Sequence, residues 1–175
     1  HSVLLKTDGT LWAMGCNDYA QLGDGTMTAR LGPVQVASAV QAIAAGGYHT
    51  CYAKTDGTLW AVGANFSGQM GEGAVFRTSP LQAASGVQSA SAGAVHTLLL
   101  ETDATLWAMG NNESAQLGDG THTNRSTPVQ VAAAVQMASA GVDYSLFVKT
   151  DATLWAMGAN ASGELGDGTT TERNT

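Results

Sequence analysis

The sequence predicts an all-β array built from about four copies of one unit, and three observations carry that prediction. The string Thr7-Asp8-Gly9-Thr10-Leu11-Trp12 returns at Thr55 to Trp60, at Thr102 to Trp107 and at Thr150 to Trp155, with offsets of 48, 47 and 48 residues. A second marker follows each copy: Gly15-Cys-Asn17, Gly63-Ala-Asn65, Gly110-Asn-Asn112 and Gly158-Ala-Asn160. A third is Gln21-Leu-Gly-Asp-Gly25, Gln69-Met-Gly-Glu-Gly73, Gln116-Leu-Gly-Asp-Gly120 and Glu164-Leu-Gly-Asp-Gly168.

Each unit is read in chain order. Val3 to Lys6, the turn Thr7 to Thr10, and Leu11 to Met14 form a hairpin signal, because the Asp-Gly centre supplies the positive φ that a tight turn requires. Ala104 and Ala152 replace that glycine in the later units, which points to a type I turn or a bulged loop there. The one-residue shortfall of the second unit falls between Gly73 and Pro80, as expected of a loop. Pro33 to Val36 reads as a short outer strand, with proline at its start. Val40 to Gly46 fits either a strand or a short helix, since Val36, Val40 and Ile43 lie at helical spacing; a solenoid of hairpins plus helices is the alternative architecture.

Bulk composition narrows the function classes. With 44% hydrophobic residues, 22 glycines and 12% charged residues in 175, the chain is a folded, turn-rich one. A formal net charge of -7 with only 7 Lys and Arg argues against nucleic acid and anionic membranes as partners. No apolar run has the length of a membrane span, and no signal-peptide pattern opens the chain. His1 is not an initiator residue, so a preceding segment is expected. Cys16 and Cys51 occupy different positions of the unit and form no ligand pair or disulfide framework.

The run from Asp56 to Gly71, preceded by Ala45-Gly-Gly-Tyr-His-Thr50, resembles the signature of the regulator of chromosome condensation repeat family: a Gly-x-x-His-Thr step followed by Trp-x-x-Gly-x-Asn-x-x-Gly-Gln-Leu-Gly. The resemblance covers the whole chain and has a bacterial look. It implies a β-propeller of four-stranded antiparallel blades, with Val40 to Gly46 as an innermost strand. The blades are then 1–48, 49–95, 96–143 and a partial 144–175. The family's usual ring has seven blades, so the expectation is an arc of a larger ring, or one completed by another chain or by self-association through open blade edges, in preference to a closed four-bladed ring.

The recurrent residues read as scaffold. Trp12, Trp60, Trp107 and Trp155 are expected between stacked sheets. The Gly-x-x-His-Thr steps carry no tryptophan, which sets aside the light sensing of a plant relative. His1, His49 and His96, with Tyr144 in the fourth unit, recur once per blade, too far apart for a metal site, and hydrogen bonds to neighbouring backbone are expected instead. Asp24, Glu72, Asp119 and Asp167 lie in Gly-acid-Gly turns, and Asn17, Asn65, Asn112 and Asn160 suit capped turns. Asn65-Phe-Ser67 and Asn160-Ala-Ser162 match the glycosylation pattern weakly. Catalysis needs a differentiated nucleophile, base and orienter; the sequence offers repetition, and no cofactor motif. An undetected hydrolase is the least favoured reading.

Specificity is therefore sought in what varies. Tyr19, Phe66, Val75 and Phe76, with Arg30, Arg77 and Arg125 beside them, have the makeup of a protein-binding surface whose partner the sequence does not name. The alternative is a passive structural array in a larger cell-surface or secreted protein. The richness in Ala, Ser, Thr and Gly favours an extracellular setting.

Overall fold

The computed structural model describes residues 1–71 and 75–175. Four antiparallel sheets hold fourteen strands, and no helix occurs among the described residues. The first sheet is β1 (Ser2–Leu5), β2 (Leu11–Gly15) and β3 (Arg30–Ala37). The second is β4 (Val40–Ala45), β5 (His49–Lys54), β6 (Leu59–Ala64) and β7 (Phe76–Ala84). The third is β8 (Val87–Ala92), β9 (His96–Glu101), β10 (Leu106–Gly110) and β11 (Arg125–Ala132). The fourth is β12 (Val135–Ala140), β13 (Tyr144–Lys149) and β14 (Leu154–Gly158), to which Arg173 adds a bridge at Gly158. Each sheet runs in chain order from inner to outer strand, the arrangement of an open arc of propeller blades.

The Ala-rich segment is strand β4, the innermost strand that the resemblance implied, with a register shift between Val40 and Ala42 where it pairs with β5. Two other sequence expectations change in detail. The outer strand is longer than Pro33 to Val36, reaching from Arg30 to Ala37. The alanine turns are neither bulged nor of a new kind: Ala104 and Ala152 both take φ 66°, beside 77° and 79° at Gly9 and Gly57. Two L-residues thus occupy the left-handed region at a cost of about 1 kcal/mol each, held there by the same hydrogen bonds, such as Ala104 N–H to the Glu101 carbonyl at 3.1 Å.

The sheets are offset from the sequence units, since each unit ends on the inner strand of the following blade. Residues 40–45 belong to the first unit by sequence and to the second sheet by pairing, and β8 and β12 are offset in the same way. Inner strands are therefore supplied by the preceding unit, which ties each sheet covalently to its neighbour.

The core lies between sheets and follows from the two-residue alternation of a strand. Leu11 points toward the second sheet and packs with Tyr52, Val40 and Trp60. Leu59, Ala61 and Cys51 meet Leu99, Met109 and Trp107 of the third sheet. Leu98, Leu106 and Ala108 meet Phe147 and Met157 of the fourth. The leucine and alanine of each Leu-Trp-Ala strand thus face the following sheet, and the indole faces the preceding one. The tryptophans were expected as the central wedge, but the fully buried positions are Leu11, Leu59 and Leu106; Trp60 and Trp107 are half-buried. Each indole N–H donates to the Thr two residues earlier, from 2.8 Å at Trp12 to 3.0 Å at Trp155. Trp155 stacks on Phe147 at 6.2 Å yet stays 45% exposed.

Candidate protein-binding face

Strand direction sorts the loops into two ends. The β2–β3, β6–β7 and β10–β11 connections, the segment after β14, and the tight turns at 46–48, 93–95 and 141–143 share one end, while the Asp-Thr hairpin turns share the other. All three lysines sit at the hairpin end, where Lys6, Lys54 and Lys149 lie 3.8, 4.5 and 4.2 Å from the indole centroids of Trp12, Trp60 and Trp155.

At the loop end, the repeated residues form two internal frameworks. The first is an inter-sheet ladder. His1, His49 and His96 each reach through Nε2 to a hydroxyl of the next sheet, at Thr50 (2.8 Å), Thr97 (2.9 Å) and Ser145 (2.9 Å). Those hydroxyls donate to the carbonyls of Gln21, Gln69 and Gln116 at 2.7, 2.7 and 2.8 Å. Each hydroxyl spends its only proton on a carbonyl, so His49 and His96 must donate from Nε2, leaving Nδ1 bare. Both Nδ1 atoms are buried without a partner among the described residues. Burial pushes the pKa of His49 down to about 3, helped by the neighbouring His96, and that of His96 down to about 4. The contacts are thus with a side-chain hydroxyl across the junction, not with backbone as the sequence suggested.

The second framework closes the long loops. Asn17, Asn112 and Asn160 are buried, accept a backbone N–H from the residue five positions on, and donate to Asp24, Asp119 and Asp167 at 3.3, 2.9 and 3.2 Å. Asn65 accepts likewise from Met70 N–H at 2.8 Å. The corresponding acid, Glu72, lies outside the described residues. Burial works against the charge on Asp24 and Asp119, but the Thr26 and Thr121 hydroxyls and the Arg30 and Arg125 guanidiniums outweigh it and hold both carboxyls below their ordinary range. Asn65 and Asn160 are buried and committed within these loops, which removes the basis for the glycosylation reading.

This framework also corrects part of the candidate surface. Arg30 and Arg125 were expected beside a partner, but each is spent on the scaffold, in 2.6 Å ion pairs with Asp24 and Asp119; Arg173 does the same with Asp167. The Nε of Arg77 is buried and has no hydrogen-bond partner among the described residues.

The variable residues behave differently. Tyr19 and Phe66 meet edge to face at 5.5 Å, and Tyr19 meets Tyr48 in the same way at 5.1 Å. Tyr48 is 47% and Phe66 56% exposed, so the cluster presents ring surface to solvent. Phe66 and Val75 then line a cavity of about 390 Å³ whose far wall is Asn124 of the third sheet's loop and Ser126 at the start of β11. Phe76 pairs with Ala64 at the start of β7 and is 45% exposed. Tyr48 escaped the sequence reading because it sits inside a repeated Gly-x-x-His-Thr step; its signal was that the residue before His varies, as Tyr48, Val95 and Asp143 with Tyr144 following. The surrounding charge is acidic. Eight described carboxylates lie at this end, of which Asp18, Glu113, Asp143, Glu164 and Glu172 have no arginine pair, Glu172 lying instead 3.1 Å from His122 Nε2.

Comparison with known proteins places this architecture. The solved structure of human WBSCR16 superposes with a TM-score of 0.89 at 17% identity, covering 98% of this chain and 48% of that one. Yeast RCC1 (Prp20) in its complex with Kap60 gives 0.87 at 21%, covering 99% and 45%. Prp20p from Saccharomyces cerevisiae, a protein described with binding to Gsp1p and histones, gives 0.86 at 22%, covering 99% and 47%. The chain thus spans about half the length of the structures it resembles. No curated protein matches by sequence. The Regulator of chromosome condensation (RCC1) repeat matches residues 8–53 and 103–148, and a second profile of that repeat matches 40–69. With more than half of its length matched and every sheet built on the same markers, this chain belongs to the RCC1 repeat family.

Proposed function

We propose that the chain is a non-catalytic scaffold that binds a protein partner at its loop end, through the Tyr19, Tyr48 and Phe66 cluster and the adjoining cavity. The observation that carries the reading is that three separate loops, from two sheets, bring Tyr48 and Phe66 against the half-buried ring of Tyr19 while leaving both of them exposed. Aromatic anchors beside a recess are the usual energetic centre of an interface. The partner segment that suits this face is cationic, since Asp18 adjoins Tyr19, further carboxylates without an arginine share the same end, and ring faces attract guanidinium and ammonium groups.

The chemistry of the loops supports a non-catalytic role. Asp24, Asp119 and Asp167 each serve the same threonine, asparagine and arginine of their own loop. A carboxylate so occupied has little capacity left to move a proton for a substrate. The test is equilibrium binding with the wild-type chain and a Tyr19→Ala, Tyr48→Ala, Phe66→Ala triple variant whose circular dichroism matches wild type. A saturable protein partner whose affinity falls at least tenfold in the variant is the expected result. Equal affinity of both forms for every saturable partner would end the proposal.

A further inference from the structure

The Asp-Thr hairpins of the four sheets share one backbone but not one charge. In each, the N–H of the residue before the turn donates to the carbonyl of the threonine after it, from Lys6, Lys54, Glu101 and Lys149 to Thr10, Thr58, Thr105 and Thr153 at 3.0, 2.9, 3.0 and 2.9 Å. The indoles Trp12, Trp60, Trp107 and Trp155 pair across the strands with Leu4, Tyr52, Leu99 and Phe147, each two residues before that donor. The two-residue alternation of a strand therefore sets the residue before the turn on the indole's own face. Three sheets carry lysine there, with the ammonium 3.8, 4.5 and 4.2 Å from the ring centroid. The third sheet carries Glu101, and among the described residues no cation lies over Trp107. That ring is half-buried at the junction between the second and third sheets, inside the arc.

We propose that Trp107 and Glu101 form a receptor for the ammonium group of a lysine side chain brought by another protein, which takes the place that an internal lysine holds in the other three sheets. The ring is already set for that contact, because its N–H donates to the Thr105 hydroxyl at 2.9 Å just as Trp60 donates to Thr58 at 2.9 Å. Lys54 over Trp60 is the closest precedent, since that pair also sits at an internal junction. Charge favours the same ligand. Every other hairpin sets one lysine against one aspartate, whereas the third presents Glu101 and Asp103 with no lysine. The carboxyls of Asp8, Asp56 and Asp151 are held below their ordinary range by the threonine two residues on and by the lysine two residues before; Asp103 is held down by Thr105 with no cation contributing. The Thr105 hydroxyl gives its one proton to Asp103 at 2.6 Å, so the Glu101 carboxylate, 3.5 Å from that hydroxyl, keeps its capacity for an incoming ammonium. An ammonium here meets a ring face and a carboxylate together. The site lies at the hairpin end, opposite the aromatic cluster, and does not depend on the function proposed for that cluster.

The experiment follows the four indole N–H signals by NMR while Nα-acetyl-lysine amide is added at constant ionic strength, with Nα-acetyl-norleucine amide as the uncharged control. The Trp107 signal is identified by its loss in Trp107→Phe or, should that variant not fold, by its through-space contacts. The expected result is a shift of the Trp107 signal by the lysine probe about threefold larger than that of any other indole, with no such selectivity from the norleucine probe. Glu101→Gln should weaken the response about threefold, as the loss of an exposed ion pair does. Glu101→Lys supplies the ammonium from within, as in the other three sheets, so it should fold, move the Trp107 signal in the direction that the probe moves it, and abolish the response. Equal shifts of all four indoles, an equal response to the norleucine probe, or a response undiminished in Glu101→Lys overturns the proposal.

Discussion

The inter-sheet ladder and the aromatic cluster lie at the same end of the arc and obey opposite rules. In the ladder, His49 and His96 are fully buried, bond to equivalent hydroxyls, of Thr97 and Ser145, at the same distance of 2.9 Å, and sit in sequence steps that repeat. In the cluster, Tyr48 and Phe66 are exposed and Tyr19 is half-buried; the later units carry Ser67, Ser114 and Ser162 at the position of Tyr19, and Asp18, Glu113 and Ala161 stand at the position of Phe66 in the other units. A position that repeats must satisfy the junction between sheets, whereas one that varies is free to meet something outside. The contrast predicts that ladder changes cost stability and cluster changes cost binding.

The largest expected effect is on pH dependence. His49 and His96 have folded pKa values near 3 and 4, below the unfolded value of 6.5. Their neutral forms therefore stabilise the fold fully above pH 6.5, and that stability is lost as pH falls toward 4 and 3. Denaturant unfolding at a series of pH values should show a drop of a few kcal/mol between pH 7 and pH 4, and a His49→Gln, His96→Gln variant should show a flatter profile. Next in size is Gly93→Ala. A Cβ there would collide with the His96 ring and come within 2.5 Å of the Gly141 carbonyl, so about 3 kcal/mol should be lost in urea unfolding. Tyr19→Ala removes two edge-to-face ring contacts at a half-exposed site and should cost about 1 kcal/mol in the same measurement, while weakening binding of the partner. A value near that of Gly93→Ala would show the cluster to be scaffold. The smallest effect is a gain: Ala104→Gly relieves a left-handed alanine and should stabilise by about 0.5 kcal/mol, the strain relief being partly offset by glycine's unfolded-state entropy.

The sequence made the fold legible because three markers keep step, and each is tied to a physical requirement: the Asp-Thr turn, the Asn-capped loop and the Gly-x-x-His-Thr junction. It was least legible at β4, where Val40-Gln-Ala-Ile-Ala-Ala mixes helical and extended signals. A strand packed by small residues on both faces shows no clean alternation, and the register shift after Val40 blurs what remains. The ion pairs of Arg30 and Arg125 were hidden for another reason, since only the loop's fold brings residues six apart into contact. The aromatic cluster was half legible. Tyr19 and Phe66 stood out by variation, but the meeting of Tyr19 with Tyr48 depends on β4 and β5 belonging to one sheet while Tyr19 rises from the preceding one.

The offset between sequence unit and sheet bears on how such an array can lengthen. Any contiguous stretch of one period contains each of the four strand roles once, whichever residue it starts from. Copying such a stretch in tandem therefore yields one more complete sheet and leaves every existing hairpin and junction with its proper neighbours. Recombination need not find a domain boundary to extend this chain, because the architecture is indifferent to where the copied segment begins.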